Sequence, residues 1–377
     1  MAYPEDNRPA EAKNPPGIKD IAKALGVSIG TVDRALHGRS GINPLTRSRV
    51  LSMAKTLGYQ PNVAARYLKL RRKLQIAIHL PREIAAFFDA LREGIVQAAA
   101  PFQSSVELEF REQRRLGEGD IELFEQALAK PTNGIILSPG FPNDLKPWIR
   151  KAARSQIPVV CVATDAPKTE RLTAVFSDPY TSGAMVAELL IHTVREPGSV
   201  LLVTGDLNTH DHAEKVRGFE SFLASGTGLA LGPLIQAHDD PDEAYRSVYR
   251  QLTSSSGIRA VYVGTANSLP VIRAVEDAKL DHPLAVVTTD LFPELVPLIE
   301  SGKVLGTVYQ RPQTQGRRAF LALYRFLSEG KCPPARLRLA PHIVARSNLP
   351  LFLELQPTAF GTANRPEKGA VLAEQNP

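Results

Sequence analysis

Residues 18–36 read IKDIAKALGVSIGTVDRAL, and this stretch decides the fold of the first part of the chain. Apolar side chains recur in it at the period of one helix face, and the pattern breaks at Gly26. A glycine there can take the left-handed conformation that ends a helix, and the hydroxyl of Ser28 can cap the next helix. The stretch predicts a helix-turn-helix whose second helix spans about residues 29–36.

A third helix is predicted to follow directly. Asn43 is a good cap, Pro44 suits the first helical position, and Gly58 marks the stop, so the three helices share one small core. After Pro61, Asn62 opens the segment VAARYLK, which is too short to be a stable helix alone in water. We therefore predict a headpiece over residues 17–61 and a hinge helix with linker over 62–73.

The charge of this region indicates its partner. Residues 17–73 contain twelve Lys and Arg but only two Asp, a net of +10, whereas the whole chain carries +6, which leaves −4 for the rest. A basic excess confined to a helix-turn-helix region is typical of neutralisation of nucleic-acid phosphates. The headpiece is therefore predicted to bind double-stranded DNA through the major groove.

The segments IKDIAKALGVSIGTVDRALHG, NPLTRSRVLSMAKTLGYQPN and AARYLK resemble the headpiece of the lactose-repressor/galactose-repressor family of bacterial transcription regulators. That resemblance implies a recognition helix in the major groove and a hinge helix that orders on the operator and wedges a leucine into the minor groove. Asp33 stands where the family commonly has serine, so we expect it to orient Arg34 or to contact a cytosine amino group. The DNA-binding residues so predicted are Ser28, Ile29, Gly30, Thr31, Arg34, Asn62, Ala65 and Leu68.

The rest of the chain shows another rhythm. From residue 74 to about 345, nine short apolar runs alternate with amphipathic helix patterns, which predicts parallel sheets covered by helices on both faces. This pattern alone leaves one sheet or two open. A chain of 377 residues with 43% apolar content suits a small headpiece plus a body of about two domains.

The body resembles the periplasmic sugar-binding fold of the same family, which implies two lobes joined by three crossovers around a cleft. The predicted fold class is thus α/β, a two-lobed periplasmic-binding-protein-like body behind a small all-α headpiece. We assign residues 74–177 and 311–331 to an N-lobe, and 178–310 and 332–355 to a C-lobe. Residues 1–16 and 356–377 are predicted to be disordered tails.

Effector contacts are expected where strands end, because ligands of open parallel sheets bind at the carboxyl ends of strands. The phenylalanines could stack on a sugar face or merely fill the core, and Asp290 could instead cap a helix. The family commonly has arginine where this chain has Lys215 and Ala166, which removes two bidentate donors. The predicted effector-binding residues are Phe87, Phe88, Asp165, Lys215, Asn267, Asp290 and Gln310.

No metal site or cofactor is predicted. His210 and His212 form an HxH without an evident third ligand, so we expect a loop that hydrogen-bonds effector. Cys161 lies in an apolar run typical of a buried strand, and the chain's two cysteines imply no disulfide framework.

These patterns predict a homodimeric transcription regulator, a repressor, in the bacterial cytoplasm and associated with the nucleoid. Its partners would be a palindromic operator and a small effector, either a sugar or, as the alternative, a nucleoside or purine. No GxGxxG, GxxxxGK[ST], GxSxG, HExxH or CxxC motif supports an enzyme. A transport receptor would need export, and the N-terminal residues do not resemble an export signal; no membrane span is predicted either.

Overall fold

The computed structural model describes residues 17–36, 41–57, 59, 73–226 and 228–355. Its helices are α1 (Ile18–Leu25), α2 (Ile29–Leu36), α3 (Pro44–Leu57), α4 (Ala85–Ala99), α5 (Asp120–Leu128), α6 (Pro142–Arg154), α7 (Pro179–Thr193), α8 (His210–Leu223), α9 (Pro241–Ser254), α10 (Ser268–Asp277), α11 (Val296–Glu300), α12 (Pro312–Glu329) and α13 (Leu349–Leu355). Its strands are β1 (Leu74–Pro81), β2 (Val106–Gln113), β3 (Gly134–Leu137), β4 (Val159–Val162), β5 (Thr173–Ser177), β6 (Gly198–Thr204), β7 (Leu229–Gln236), β8 (Ile258–Val263), β9 (Ala285–Thr289), β10 (Gly306–Tyr309), β11 (Arg336–Leu339) and β12 (His342–Val344).

The headpiece helices begin and end where local chemistry directs. Gly26 ends α1 in the left-handed conformation, with φ 64°. The Ser28 hydroxyl accepts a hydrogen bond from the Thr31 N–H at 3.1 Å, and the Asn43 side chain accepts from the Leu45 N–H at 2.9 Å, so both predicted caps are present. The three helices share one small core, as predicted, formed by Ile21, Ala22, Val32, Ala35, Val50 and Ala54.

The body contains two six-stranded sheets. The N-lobe sheet has the order β11-β5-β4-β3-β1-β2 with every neighbouring pair parallel, and the C-lobe sheet has the order β12-β10-β9-β8-β6-β7. In the C-lobe only the pair β10 and β12 is antiparallel. The structure confirms the predicted two-lobed α/β class and selects two sheets rather than one.

Each sheet is covered on both faces, as expected for parallel strands. Along β6, Val200 and Leu202 point into one apolar cluster, while Leu201 and Val203 point into the cluster on the opposite face. The alternation follows from the two-residue period of a strand. Cys161 of β4 is fully buried in an N-lobe cluster, where burial raises the pKa of its thiol to about 12.

The domain assignment needs one correction. We placed residues 332–355 in the C-lobe, but β11 lies parallel to β5 in the N-lobe sheet, with Arg336 opposite Ala174. The chain therefore crosses between the lobes after β5, after β10 and after β11, and only β12 and α13 return to the C-lobe. The sequence of β11 is RLRL, and its two arginines are exposed at the edge of the sheet. It therefore contains no apolar run, which is the signal that we used to predict strands.

Three strands were missed in all: β5, β7 and β11. The sequence of β7, LALGPLIQ, contains Pro233, which a central strand would not tolerate because proline cannot donate to the ladder. The structure places β7 at the edge of its sheet, where that donor is not needed. Missing β7 also meant missing the loop that follows it, which carries part of the candidate site.

Candidate functional site

The predicted DNA-reading residues of the headpiece lie on one surface. Ser28, Ile29, Gly30 and Arg34 are exposed, while Val32 and Ala35 of the same helix are buried in the headpiece core. Thr31 is half-buried, and its hydroxyl lies 2.8 Å from that of Ser28. With Ile29 50% exposed, α2 presents an open face of the size that enters a major groove.

The remaining predicted DNA contacts belong to the hinge. Asn62, Ala65 and Leu68, as well as the predicted helix stop at Gly58, lie outside the described residues. Asp33 is described, and its negative charge contributes, after burial, to raising the pKa of the Tyr59 phenol.

A small cavity lies between the two lobes, with lining residues from both. It opens at the carboxyl ends of the parallel strands, as expected from the fold. The N-lobe side is mainly apolar and the C-lobe side mainly polar. The lining comprises Ile84, Phe87, Phe88, Leu116, Ser138, Ala163 and Thr164 from the N-lobe, and Asp211, His212, Lys215, Asp239, Thr265, Ala266, Thr289, Asp290 and Gln310 from the C-lobe and its border.

Five of the seven predicted effector residues line this cavity: Phe87, Phe88, Lys215, Asp290 and Gln310. The two phenylalanine rings meet edge to face, with centroids 5.0 Å apart, and both also pack in the N-lobe core. Phe87 and Phe88 therefore fill the N-lobe core and also line the cavity, so the two predicted roles do not exclude each other.

Asp165 and Asn267 are not among the lining residues. Asp165 is fully buried, and its carboxylate accepts hydrogen bonds from the guanidinium groups of Arg171 and Arg336. Those two cations satisfy the carboxylate and bind the loop after β4 to the start of β11. Asn267 stands before α10 and is 5% exposed, and its neighbour Ala266 reaches the cavity instead. Asp165 thus has a structural ion-pair role in this arrangement, and its role as an effector contact stays a prediction.

Among the lining carboxylates, Asp211 and Asp239 were not predicted as effector contacts, whereas His212 was expected to hydrogen-bond effector as part of the HxH pair. The HxH pair lies in α8 rather than in the loop that we expected, and only His212 of the pair reaches the cavity. Asp211 is one turn before Lys215, so spacing on a helix would have found it. Asp239 follows the unpredicted strand β7, and only recognition of that strand would have found it.

The buried charges of the C-lobe wall influence one another. The Lys215 ammonium lies 2.7 Å from a carboxylate oxygen of Asp211. Burial acts to lower the pKa of Lys215, but the carboxylates of Asp211 and Asp290 help to raise it above its usual value, so the ammonium remains charged. Burial lowers the pKa of His212, which leaves a neutral imidazole. Burial raises the pKa of Asp290 to about 6, against the opposing effects of Lys215 and Gln310.

Several lining residues have unusual backbone conformations. Ile84, Ala163, Asp239 and Asp290 have positive φ angles of 67°, 68°, 53° and 71°. Side chains other than glycine rarely adopt this region, and a β-branched residue such as Ile84 does so least readily. Strain of this kind clusters at ligand-binding sites, where surrounding structure enforces it.

Hydrogen bonds and a salt bridge join the lobes around the cavity. The Thr209 hydroxyl of the C-lobe donates to the Gly140 carbonyl at 3.0 Å, and the Asp211 N–H donates to the Thr164 hydroxyl at 3.3 Å. Arg115 lies 3.6 Å from the carboxylate of Asp240. The two lobes therefore contact each other through residues that flank the cavity.

Within the described residues, no group of three or more His, Cys, Asp or Glu is arranged to hold a metal ion. Among the helices that the structure describes, none combines the length and apolar character needed to cross a membrane.

Residues 76–332 match the periplasmic binding protein domain family, and residues 17–62 match the lacI family of bacterial regulatory proteins. The chain is 26% identical over 310 residues to catabolite control protein A of Priestia megaterium, covering 79% of this chain and 91% of that protein. It is 27% identical over 367 residues to the HTH-type transcriptional regulator AglR of Rhizobium meliloti, covering 89% and 95% respectively.

The fold of the body recurs among solved structures. A solute-binding protein of an ABC transporter from Burkholderia graminis, solved in complex with D-arabinose, superimposes with a TM-score of 0.69 at 21% identity. The match covers 74% of this chain and 97% of that one, which leaves the headpiece outside it. At this identity the likeness shows the fold alone.

The fold and the interlobe cavity define a two-lobed ligand-binding protein. The headpiece narrows this class: the chain belongs to the lacI family of bacterial regulatory proteins, with a periplasmic binding protein domain as its body. As a member of this family it is a DNA-binding transcription regulator, which confirms the functional class predicted from the sequence.

Proposed function

We propose that this regulator is a repressor whose operator affinity is controlled by a small carbohydrate-like effector bound in the interlobe cavity. The observation that carries the proposal is the combination of an apolar aromatic wall with a facing wall of polar atoms that lack protein partners. Sugars match this combination, since their rings have apolar C–H faces and hydroxyl edges.

The polar wall contains buried groups that a ligand would satisfy. Within the described residues, Oδ1 of Asp211 and Nδ1 of His212 have no hydrogen-bond partner. A buried polar atom without a partner costs about 1–3 kcal/mol, and ligand hydroxyls both donate and accept. Effector hydroxyls that form hydrogen bonds with these atoms would therefore stabilise the complex.

The proposed switch joins the cavity to the hinge. A homodimer would present two headpieces to a palindromic operator, and the hinge at residues 62–69 would order there and insert Leu68. Effector that favours one relative orientation of the lobes would change the separation of the two hinges. A coupling of about 1–3 kcal/mol gives a roughly 5- to 150-fold change in operator affinity. The bacterial cytoplasm is the proposed location, because the operator is there.

The experiment starts from operator selection. Purified full-length protein selects binding sequences from random double-stranded DNA, and fluorescence anisotropy then measures the affinity for the selected site with and without each member of a set of sugars, polyols and nucleosides. We expect a palindromic consensus and a severalfold affinity change with a sugar or polyol. A nucleoside as sole active compound would overturn the carbohydrate assignment, and absence of any sequence preference would overturn the proposal.

A further inference from the structure

The C-lobe wall of the cavity has more carboxylates than cations. Asp211, Asp239 and Asp290 face the cavity with Lys215 as the one lysine, and the lining, over the part of the chain that the structure describes, includes no arginine. His212 adds no positive charge, since its buried imidazole is neutral at pH 7 because its pKa is lowered. The wall therefore carries a net negative charge.

Lys215 is already engaged by its own lobe. Its ammonium is 2.7 Å from Oδ2 of Asp211 and donates to the Gly264 carbonyl at 3.4 Å. Two of its three N–H donors are thus committed, and its charge is largely balanced by Asp211. It offers little to an anionic ligand.

The other two carboxylates have neutral partners. Oδ1 of Asp290 accepts from the Gln310 amide at 2.8 Å, and Oδ1 of Asp239 accepts from the Thr265 hydroxyl. Among the described residues, neither carboxylate forms an ion pair with a lysine, arginine or histidine side chain. Asp211 is 9% exposed, and its second oxygen, Oδ1, has no hydrogen-bond partner in the part of the chain that the structure describes. Acceptors therefore outnumber donors in a partly dehydrated site.

We infer that the effector carries an amino group, so that the cavity takes an amine-bearing polyol, such as an amino sugar, in preference to its neutral or anionic counterparts. This inference rests on the proposed function. An ammonium supplies donors to the carboxylates and balances their charge, and hydrogen bonds with an ionised partner are stronger than neutral ones. The apolar N-lobe wall, with Phe87 and Phe88, covers the C–H face of the same ligand.

The test uses sets of sugars that differ at one group. Glucose, glucosamine, gluconate and glucose 6-phosphate form one set, and galactose, galactosamine and galacturonate form another. Isothermal titration calorimetry on the full chain measures Kd for each member. In the set that binds, we expect the amine to bind about tenfold more tightly than the neutral sugar, a difference of about 1.4 kcal/mol, and the anions to bind least. Equal or tighter binding of a neutral or anionic member overturns the inference.

Variants of Asp239 and Asp290, the two cavity carboxylates that form no ion pair within the described residues, locate the preference. Asp239→Asn and Asp290→Asn keep an acceptor oxygen, and asparagine tolerates the positive φ of both positions, so both variants should fold. We expect each to reduce the amine preference, the ratio of the neutral-sugar Kd to the amine Kd, to about threefold or less, about 0.7 kcal/mol. Asp242→Asn, an exposed position on α9, is the matched control and should keep the full preference. An unchanged preference in both cavity variants overturns the assignment.

Failure of the inference and failure of the proposed function give different results. If neutral or anionic sugars bind best and still alter operator affinity, the proposed function stands and the amine preference is wrong. If no sugar, amine or polyol binds, the carbohydrate effector itself is wrong, and the inference falls with it.

Discussion

Two buried aspartates illustrate how the role of a residue depends on its partners. Asp165 follows β4, and Asp211 lies in the first turn of α8, the helix that follows β6. The Asp165 carboxylate is held by two guanidinium groups and does not line the cavity, whereas Asp211 lines the cavity and its Oδ1 has no hydrogen-bond partner within the described residues. A carboxylate saturated by cations is structural, and one left with a free acceptor is suited to a ligand.

At the same scale, Arg34 is expected to read bases. It is exposed on the open face of α2, so Arg34→Ala should weaken binding to the selected operator by about 1–3 kcal/mol and leave non-specific binding nearly unchanged. Anisotropy with operator and scrambled DNA measures both. Arg49→Ala, at an exposed position on α3, is the control and should lower both affinities alike if Arg49 contacts phosphate. Equal losses for Arg34→Ala would place Arg34 at the phosphates instead.

The buried carboxyl group of Asp120 is predicted to make the stability of the folded protein depend on pH. Burial raises the pKa of its carboxyl to about 6, despite a hydrogen bond from the Gly140 N–H. Because the folded pKa is above the usual 3.8, the unfolded chain releases this proton first, and folded stability falls as pH rises from about 4 to about 6. The fall attributable to Asp120 is up to about 3 kcal/mol, at 1.36 kcal/mol per pH unit.

Asp120→Asn should remove this contribution, since the amide resembles the protonated acid and keeps an acceptor for Gly140. We expect the variant to be more stable than the parent at pH 7.5 and nearly equal at pH 4, measured by denaturant unfolding. Asp144→Asn, in the first turn of α6 at an exposed position, controls for loss of a helix-terminal carboxylate. An unchanged pH dependence in Asp120→Asn would show that its carboxyl titrates normally.

At the scale of elements, each lobe contains one close helix pair with a glycine on both sides. In the N-lobe, a Cβ on Gly94 would lie 2.0 Å from the Gln313 carbonyl oxygen, and one on Gly316 would lie 2.0 Å from that of Leu91. In the C-lobe, α7 and α8 meet in the same way at Gly183 and Gly218. The close backbone contact between α7 and α8 fixes the position of α8. Because Lys215 lies on α8, this contact also positions its side chain at the cavity.

Adding a methyl group at such a crossing should separate the helices. Gly316→Ala is expected to destabilise the protein by about 1–3 kcal/mol, because the obstructing atom is a backbone oxygen that cannot rotate away. Thermal unfolding of the variant measures the loss. Gly257→Ala is the matched control, since nothing lies within 4 Å of a Cβ there, and its melting temperature should stay near that of the parent. Similar melting temperatures for the two variants would contradict the close packing.

At the scale of the molecule, the contacts between lobes couple ligand binding to lobe orientation. Arg114 and Arg115 both bind Glu83, but only Arg115 also reaches Asp240 across the cleft. Because Asp240 adjoins the cavity residue Asp239, this salt bridge holds the two walls together beside the ligand.

Arg115→Ala should therefore weaken effector binding, whereas Arg114→Ala should not. The pair is partly exposed and 3.6 Å long, so the expected increase in Kd is modest, about two- to fivefold, as for salt bridges worth up to about 1 kcal/mol. Calorimetry with the tightest-binding sugar measures it, and high salt should reduce the difference between the variants. Equal Kd values for both variants would exclude this bridge from lobe closure.

The sequence by itself determined the headpiece and the alternation of the body. Helix caps at Ser28 and Asn43 and the glycine stop at Gly26 act within a few residues, so each leaves a readable local signal. Apolar runs likewise revealed the central strands, since a strand buried on both faces must be apolar throughout. Only tertiary structure decided the edge strands and the cavity. Asp165 pairs with Arg336, which is 171 positions away in the sequence. Asp239 lines the cavity because it follows the edge strand β7. Neither role can be predicted from the neighbouring residues in the sequence.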